Sequence, residues 1–127
     1  MAYNKPSIPS KYYPDFVQRM PDLSGKVFVV TGTTSGTGKI ASHALASKGA
    51  TVFMLNRKSS RSEKAQQDIS TAYPNADIQT IECDLQSFAS VQSAADQLKE
   101  LCAESGIYAL INNAGIMAML DEATVDG

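Results

Sequence analysis

One stretch limits what this chain can fold into more than any other: Val27-Phe28-Val29-Val30-Thr31-Gly32-Thr33-Thr34-Ser35-Gly36-Thr37-Gly38-Lys39-Ile40. A continuous apolar run of β-formers enters a turn with glycines at positions 32, 36 and 38, and a helical pattern follows at once. The run predicts a strand buried on both faces, because a strand with one wet face would alternate polar and apolar residues. A strand, a glycine turn and a helix start make a cradle for phosphate. The first N–H groups of a helix have no intrahelical acceptor, and the helix dipole favours negative charge beside them.

The remainder of the chain repeats the alternation. Gly38–Lys48 has helical spacing at Ile40, Ala41, Ala44, Leu45 and Ser47, and Gly49 is the expected stop. Thr51–Leu55 reads as a second strand. Ser60-Arg61-Ser62-Glu63 has capping-box spacing and opens a helix to about Ala72, ahead of Pro74. Ile78–Glu82 is a third strand. Ser87 caps a further helix whose predicted apolar stripe is Phe88, Val91, Ala95, Leu98 and Cys102, closed by Gly106. Tyr108–Asn112 is the fourth strand, and Asn113–Gly127 reads as irregular. Strands alternating with helices lie parallel with right-handed crossovers, so the predicted fold class is an α/β doubly wound sheet of order 3-2-1-4. Residues 1–25, rich in proline and tyrosine, form a separate irregular arm with a turn of helix around Asp15–Met20. The predicted domain runs from 26 to 127.

Composition excludes several classes. The chain has 127 residues, 43% hydrophobic and 19% charged, with net charge −2. That describes one ordinary globular domain, with no basic excess for nucleic acid. No apolar run approaches the ~18–20 residues of a membrane span. There is also no basic segment followed by an apolar one as in a secretory signal, so the expected location is the cytoplasm. Cys83 and Cys102 fall within periodic segments and read as small buried residues in a reducing compartment. His43 lacks neighbouring ligands at metal spacing and reads as a helix-face residue, so no metal site is expected.

Two ligands compete for the glycine turn. Gly36-Thr37-Gly38-Lys39 has the ending of a P-loop, but that motif, G-x-x-x-x-G-K-[ST], needs a glycine at 33 and a hydroxyl at 40. The chain has Thr33 and Ile40. A dinucleotide fits better. Such sites read the ribose at the end of the second strand, using an acid for the 2′-hydroxyl of NAD or a cation for the 2′-phosphate of NADP. Here the strand ends Leu55-Asn56-Arg57-Lys58, with two cations and no acid. Asp84 after the third strand can accept a hydrogen bond from an adenine amino group, and Asn112-Asn113-Ala114-Gly115 lets a ligand approach the fourth strand's end. Taken singly, each of these also suits an ordinary turn.

Together, Thr31-Gly32 through Gly36-Thr37-Gly38, then Cys83-Asp84-Leu85, then Asn112-Asn113-Ala114-Gly115 resemble the short-chain dehydrogenase/reductases. The wording at Gly38-Lys39, Leu55-Asn56-Arg57 and Ala123-Thr124-Val125-Asp126-Gly127 is most similar to the branch of retinol dehydrogenases, WW-domain oxidoreductases and protochlorophyllide reductases. The resemblance implies a Rossmann fold and NADP(H) rather than NAD(H). It puts Gly32, Ser35, Gly36, Thr37 and Gly38 around the pyrophosphate and adenosine ribose. Arg57 would meet the 2′-phosphate, Asp84 and Leu85 the adenine, and Asn113, Ala114 and Gly115 the nicotinamide-side ribose. Thr37 departs from the family's usual Ile or Leu.

The family's catalytic Ser and Tyr-x-x-x-Lys do not occur in these residues. Four places after Tyr3, Tyr12, Tyr13, Tyr73 and Tyr108 stand Ser7, Phe16, Val17, Asp77 and Asn112. No catalytic residue is therefore assigned, and the expectation is the cofactor-binding half of an oxidoreductase, inactive alone. Met117 and Met119 are candidates for the substrate side. A non-enzymatic NADP-binding or interaction protein is the alternative, and self-association through the open sheet edge is expected.

Overall fold

A computed structural model describes residues 10–116 and 122–127. Helix α1 (Tyr13–Arg19) leads into β1 (Val27–Thr31), α2 (Gly36–Ser47), β2 (Thr51–Asn56), α3 (Ser60–Ala72), β3 (Ile78–Glu82), α4 (Phe88–Leu101) and β4 (Ala109–Ile111). The four strands form one parallel sheet in the order β3-β2-β1-β4. From β1 the chain steps outward through β2 to β3, then returns to the other side of β1 for β4. The winding reverses between β1 and β4, and the glycine turn begins there.

Strand alternation divides the core in two. Phe28, Val30, Val52, Met54 and Ile78 pack on Leu45 and Ala46 of α2 and on Ala65 and Ile69 of α3. Val27, Val29, Phe53, Leu55 and Ile81 face the other way, onto Ala94 and Leu98 of α4. All five residues of β1 are buried, as its unbroken apolar run requires. Cys83 and Cys102 are both buried in the second cluster as free thiols. Burial raises the pKa of each, and Asp84 adds to the rise at Cys83.

Several local expectations shift. α2 begins at Gly36, two residues earlier than the spacing suggested, and Ile40 is exposed. The cap of α3 is Ser59, whose side chain accepts from the Ser62 N–H, so the capping box read at Ser60 is displaced by one residue. On α4, Phe88 is 76% exposed and Ala94, not Ala95, is buried. Phe88 is the first residue of that helix and stays outside the cluster that Val91, Ala94 and Leu98 join. β4 is shorter than expected because its ladder to β1 covers only Ala109, Leu110 and Ile111. The helix in the N-terminal segment begins two residues before the expected turn, with Pro14 in its first turn. That segment is fastened to the sheet: Leu23 is buried in the first cluster, Met20 packs against it, and the Leu23 N–H donates to the Lys48 carbonyl.

Candidate functional site

The glycine turn lies beyond the carboxyl ends of β1 and β4. Gly32 has φ +68° and Gly36 φ +59°, conformations in which a Cβ is strained. Gly38 has ordinary dihedrals but no room: a Cβ there would collide with the Gly32 carbonyl and the Asn113 carboxamide. Glycine at 38 therefore lets the first turn of α2 close onto the end of β1. Among the described residues, the direction a Cβ would take from Gly36 or Gly115 meets nothing within 4 Å.

The three crossover helices differ at their N-termini. Ser59 and Ser87 cap α3 and α4 through their own side chains, whereas Ser35, at the same position of α2, makes no such bond. The first N–H groups of α2 have no intrahelical acceptor. With Ser35 free and Gly36 and Thr37 exposed, this helix end presents donors to solvent. Those residues suit the pyrophosphate of a dinucleotide.

Asn113 joins the two strand ends. Its Nδ2 donates to the carbonyls of Thr31 and Gly32, both at 3.1 Å. Thr31 Oγ1 returns the tie, accepting from the N–H groups of Asn113 (3.1 Å) and Ala114 (3.0 Å). Gly32, Gly38, Asn113 and Ala114 thus form one contiguous group, with Gly115 following directly. On the other side, Asp84 is half-buried, its Oδ1 accepting from the Gln86 N–H and its own N–H donating to Ser90 Oγ. Leu85 beside it is 52% exposed, a large apolar surface at a strand end. Arg57 is exposed immediately after β2. Lys39, the cation a triphosphate site would require, is engaged elsewhere, 2.9 Å from Asp68 on α3. Hydrogen bonds from Lys39 and Lys64 hold the Asp68 carboxyl below its ordinary pKa. His43 packs its edge against the Tyr73 ring at 5.9 Å, as a helix-face residue. Met117 and Met119 lie outside the described residues.

The sequence reading missed a buried pair. Asn56, at the end of β2, is 5% exposed and Thr33 is fully buried. The Thr33 N–H donates to Asn56 Oδ1, and Asn56 Nδ2 donates to Thr33 Oγ1, each at 2.8 Å. Position was the available signal: an amide at the end of a buried strand must find partners.

The model of the family described as short chain dehydrogenase matches residues 26–126. The chain belongs to the short-chain dehydrogenase family. Among curated members, the short-chain dehydrogenase/reductase bet4 of Neocamarosporium betae is 40% identical over 106 residues, covering 82% of this chain and 30% of that protein. Human retinol dehydrogenase 12 is 35% identical over 105 residues, covering 83% and 33%, in keeping with the branch that the sequence resembles. Among solved structures, an NADPH-bound short chain oxidoreductase from Pseudomonas aeruginosa PAO1 superposes with a TM-score of 0.69. It is 30% identical, over 76% of this chain and 37% of that one. The chain thus spans about a third of the length of the short-chain dehydrogenases it matches. Among the described residues, no helix is long and apolar enough to cross a membrane.

Proposed function

We propose that this chain is the cofactor-binding part of an NADP(H)-dependent short-chain oxidoreductase. One observation carries the reading: a glycine loop with an uncapped helix start, Asn113–Gly115 and Arg57 all sit at the carboxyl ends of adjacent parallel strands. The winding reverses there, where such sheets take dinucleotides. In this reading Gly32, Ser35, Gly36, Thr37 and Gly38 hold the pyrophosphate, and Asn113, Ala114 and Gly115 lie along the nicotinamide-side ribose. Asp84 and Leu85 take the adenine. Arg57 takes the 2′-phosphate, since the strand end offers no acid to a 2′-hydroxyl and its Asn56 side chain is buried. NADPH in the P. aeruginosa relative supports the same preference.

The cofactor supplies hydride chemistry when bound. In a full-length form the substrate is an alcohol, a carbonyl compound or an activated alkene, with the proton handled by a Tyr whose pKa a neighbouring Lys lowers. These 127 residues contain no Tyr-x-x-x-Lys, so the chain by itself binds cofactor and does not turn it over. Calorimetric titration of the purified chain gives tighter binding of NADP⁺ than of NAD⁺, and NADPH absorbance stays flat with a panel of carbonyl compounds. Preference for NAD⁺, or turnover above the buffer rate, would refute it.

A second reading has its own observation. Among the described residues β4 pairs only with β1, and Leu110, on the sheet face opposite the one where Ala109 and Ile111 pack, is 56% exposed. An open apolar edge supports pairing with another strand, so a dinucleotide-binding interaction protein that self-associates is the alternative. Sedimentation of the purified chain with and without NADP⁺ distinguishes a monomer from an edge-paired dimer.

A further inference from the structure

We propose that Asn56 is a positioning residue that locks the phosphate loop to the strand end carrying Arg57. It thereby sets how strongly the chain prefers a 2′-phosphorylated dinucleotide over one with a free 2′-hydroxyl. The inference rests on the dinucleotide reading above and deepens it.

Asn56 cannot act by touching the ligand, because only 5% of it is exposed. What it touches is the loop. The β1–β2 ladder runs in register from Val27↔Thr51 to Thr31↔Leu55, and beyond it the Gly32 N–H still donates to the Leu55 carbonyl at 3.1 Å. Past that point the left-handed turn at Gly32 takes the chain away from β2. The Asn56 carboxamide bridges the gap with a reciprocal pair of bonds to Thr33. On its other side, the Asn56 main-chain carbonyl accepts from the Cys83 N–H at 2.8 Å, one residue before Asp84. One residue thus stands between the glycine loop, the adenine-side acid and the cation that follows it in sequence.

The geometry matters because the ligand is a single covalent body. Its pyrophosphate and 2′-phosphate are tethered through one ribose and its 5′-methylene, which confines their separation to a narrow range, so a loop that slides against β2 holds the first while presenting the second poorly to Arg57. A charge-assisted guanidinium–phosphate contact is directional, and displacement by about 1 Å forfeits much of it. A dinucleotide without the 2′-phosphate makes no such demand. Loosening the loop therefore weakens NADP⁺ more than NAD⁺.

The test is calorimetric titration of the full chain with NADP⁺ and NAD⁺. The variants are Arg57→Ala, Asn56→Ala, Thr33→Val and the double change Asn56→Ala with Arg57→Ala. Thr33→Val keeps the main-chain N–H bond and the side-chain volume, so it decides the question if Asn56→Ala does not fold. Arg57→Ala should abolish the preference for NADP⁺. Asn56→Ala should lower the preference about fivefold and Thr33→Val about twofold, each below 1 kcal/mol or close to it by the tenfold-per-1.4 kcal/mol rule. In the Arg57→Ala background, Asn56→Ala should change it no further. Equal weakening of both dinucleotides, an unchanged ratio, or an effect that persists without Arg57 would overturn the positioning role. If the wild-type chain binds neither dinucleotide, the functional reading itself fails and takes this inference with it. An unchanged ratio in Arg57→Ala alone would remove the 2′-phosphate from Arg57, and with it the coupling proposed for Asn56.

Discussion

Replacing Gly38 with alanine sets two physical effects against each other in one residue. Gly38 lies in the first turn of α2, where alanine should gain about 1 kcal/mol from helix propensity. The added methyl, however, points at the Gly32 carbonyl and at Asn113 Nδ2. Neither can yield freely, because the first is backbone held by the β1–β2 ladder and the second already donates to Thr31 and Gly32. Overpacking of this kind costs about 1–3 kcal/mol, and displacing the carboxamide loses about 1 kcal/mol for each bond broken. The net effect is a loss of about 2 kcal/mol, or about 8 °C in Tm for a chain of this size. Urea unfolding followed by circular dichroism measures it, with Gly115→Ala as the control. Among the described residues nothing lies within 4 Å of the direction a Cβ would take from Gly115, so its alanine variant should stay within about 0.5 kcal/mol of wild type and, on the proposed function, weaken NADPH. A Gly38→Ala chain as stable as wild type would show that helix propensity outweighs the close approach, and the account of the turn would be wrong.

Two further outcomes concern Thr31 and the charged groups on α2 and α3. Thr31→Val removes the acceptor of the Asn113 and Ala114 N–H groups; it should cost about 1–2 kcal/mol and weaken NADPH, whereas Thr31→Ser should retain the affinity. Fluorescence titration with NADPH compares the two, and equal affinities would sink the assignment. Stability should fall with acid in two stages. His43, whose pKa is lowered by burial and then by Lys39, contributes stability above its unfolded value of 6.5 that is lost as pH drops through the lower folded value. Asp68, lowered by its bonds from Lys39 and Lys64, contributes stability above 3.8 that is lost at more acid pH. Urea midpoints across pH should lose the upper stage in His43→Gln and the lower one in Asp68→Asn; an upper stage that survives His43→Gln belongs to another group.

The sequence by itself determined the order of strands and helices, because β1 and β2, buried along nearly their whole length, are short apolar runs, and the helical patterns between the strands are set off by glycine, serine or proline. It also determined that the glycine turn, Arg57, Asp84 and Asn113 follow the four strands in turn, since each motif sits next to its strand in the chain. Helix boundaries were less legible. Ser59 and Ser60 can each cap a helix, and only the path of the chain out of β2 selects Ser59. The exposure of Phe88 was hidden for a similar reason: helical spacing gives a face but not which of its residues reach the core. What tertiary structure alone decided is the joining of residues far apart in sequence. Asn113 closes over Gly32 and Gly38, Lys39 is drawn to Asp68, and Asn56 reaches Thr33 across 23 positions. Local preference follows from neighbours along the chain, but a buried amide's partner depends on which strands lie side by side, and that is fixed only when the sheet has formed. The opening stretch announces a phosphate loop; the parallel pairing of β1 with β2 and β4 holds it in place.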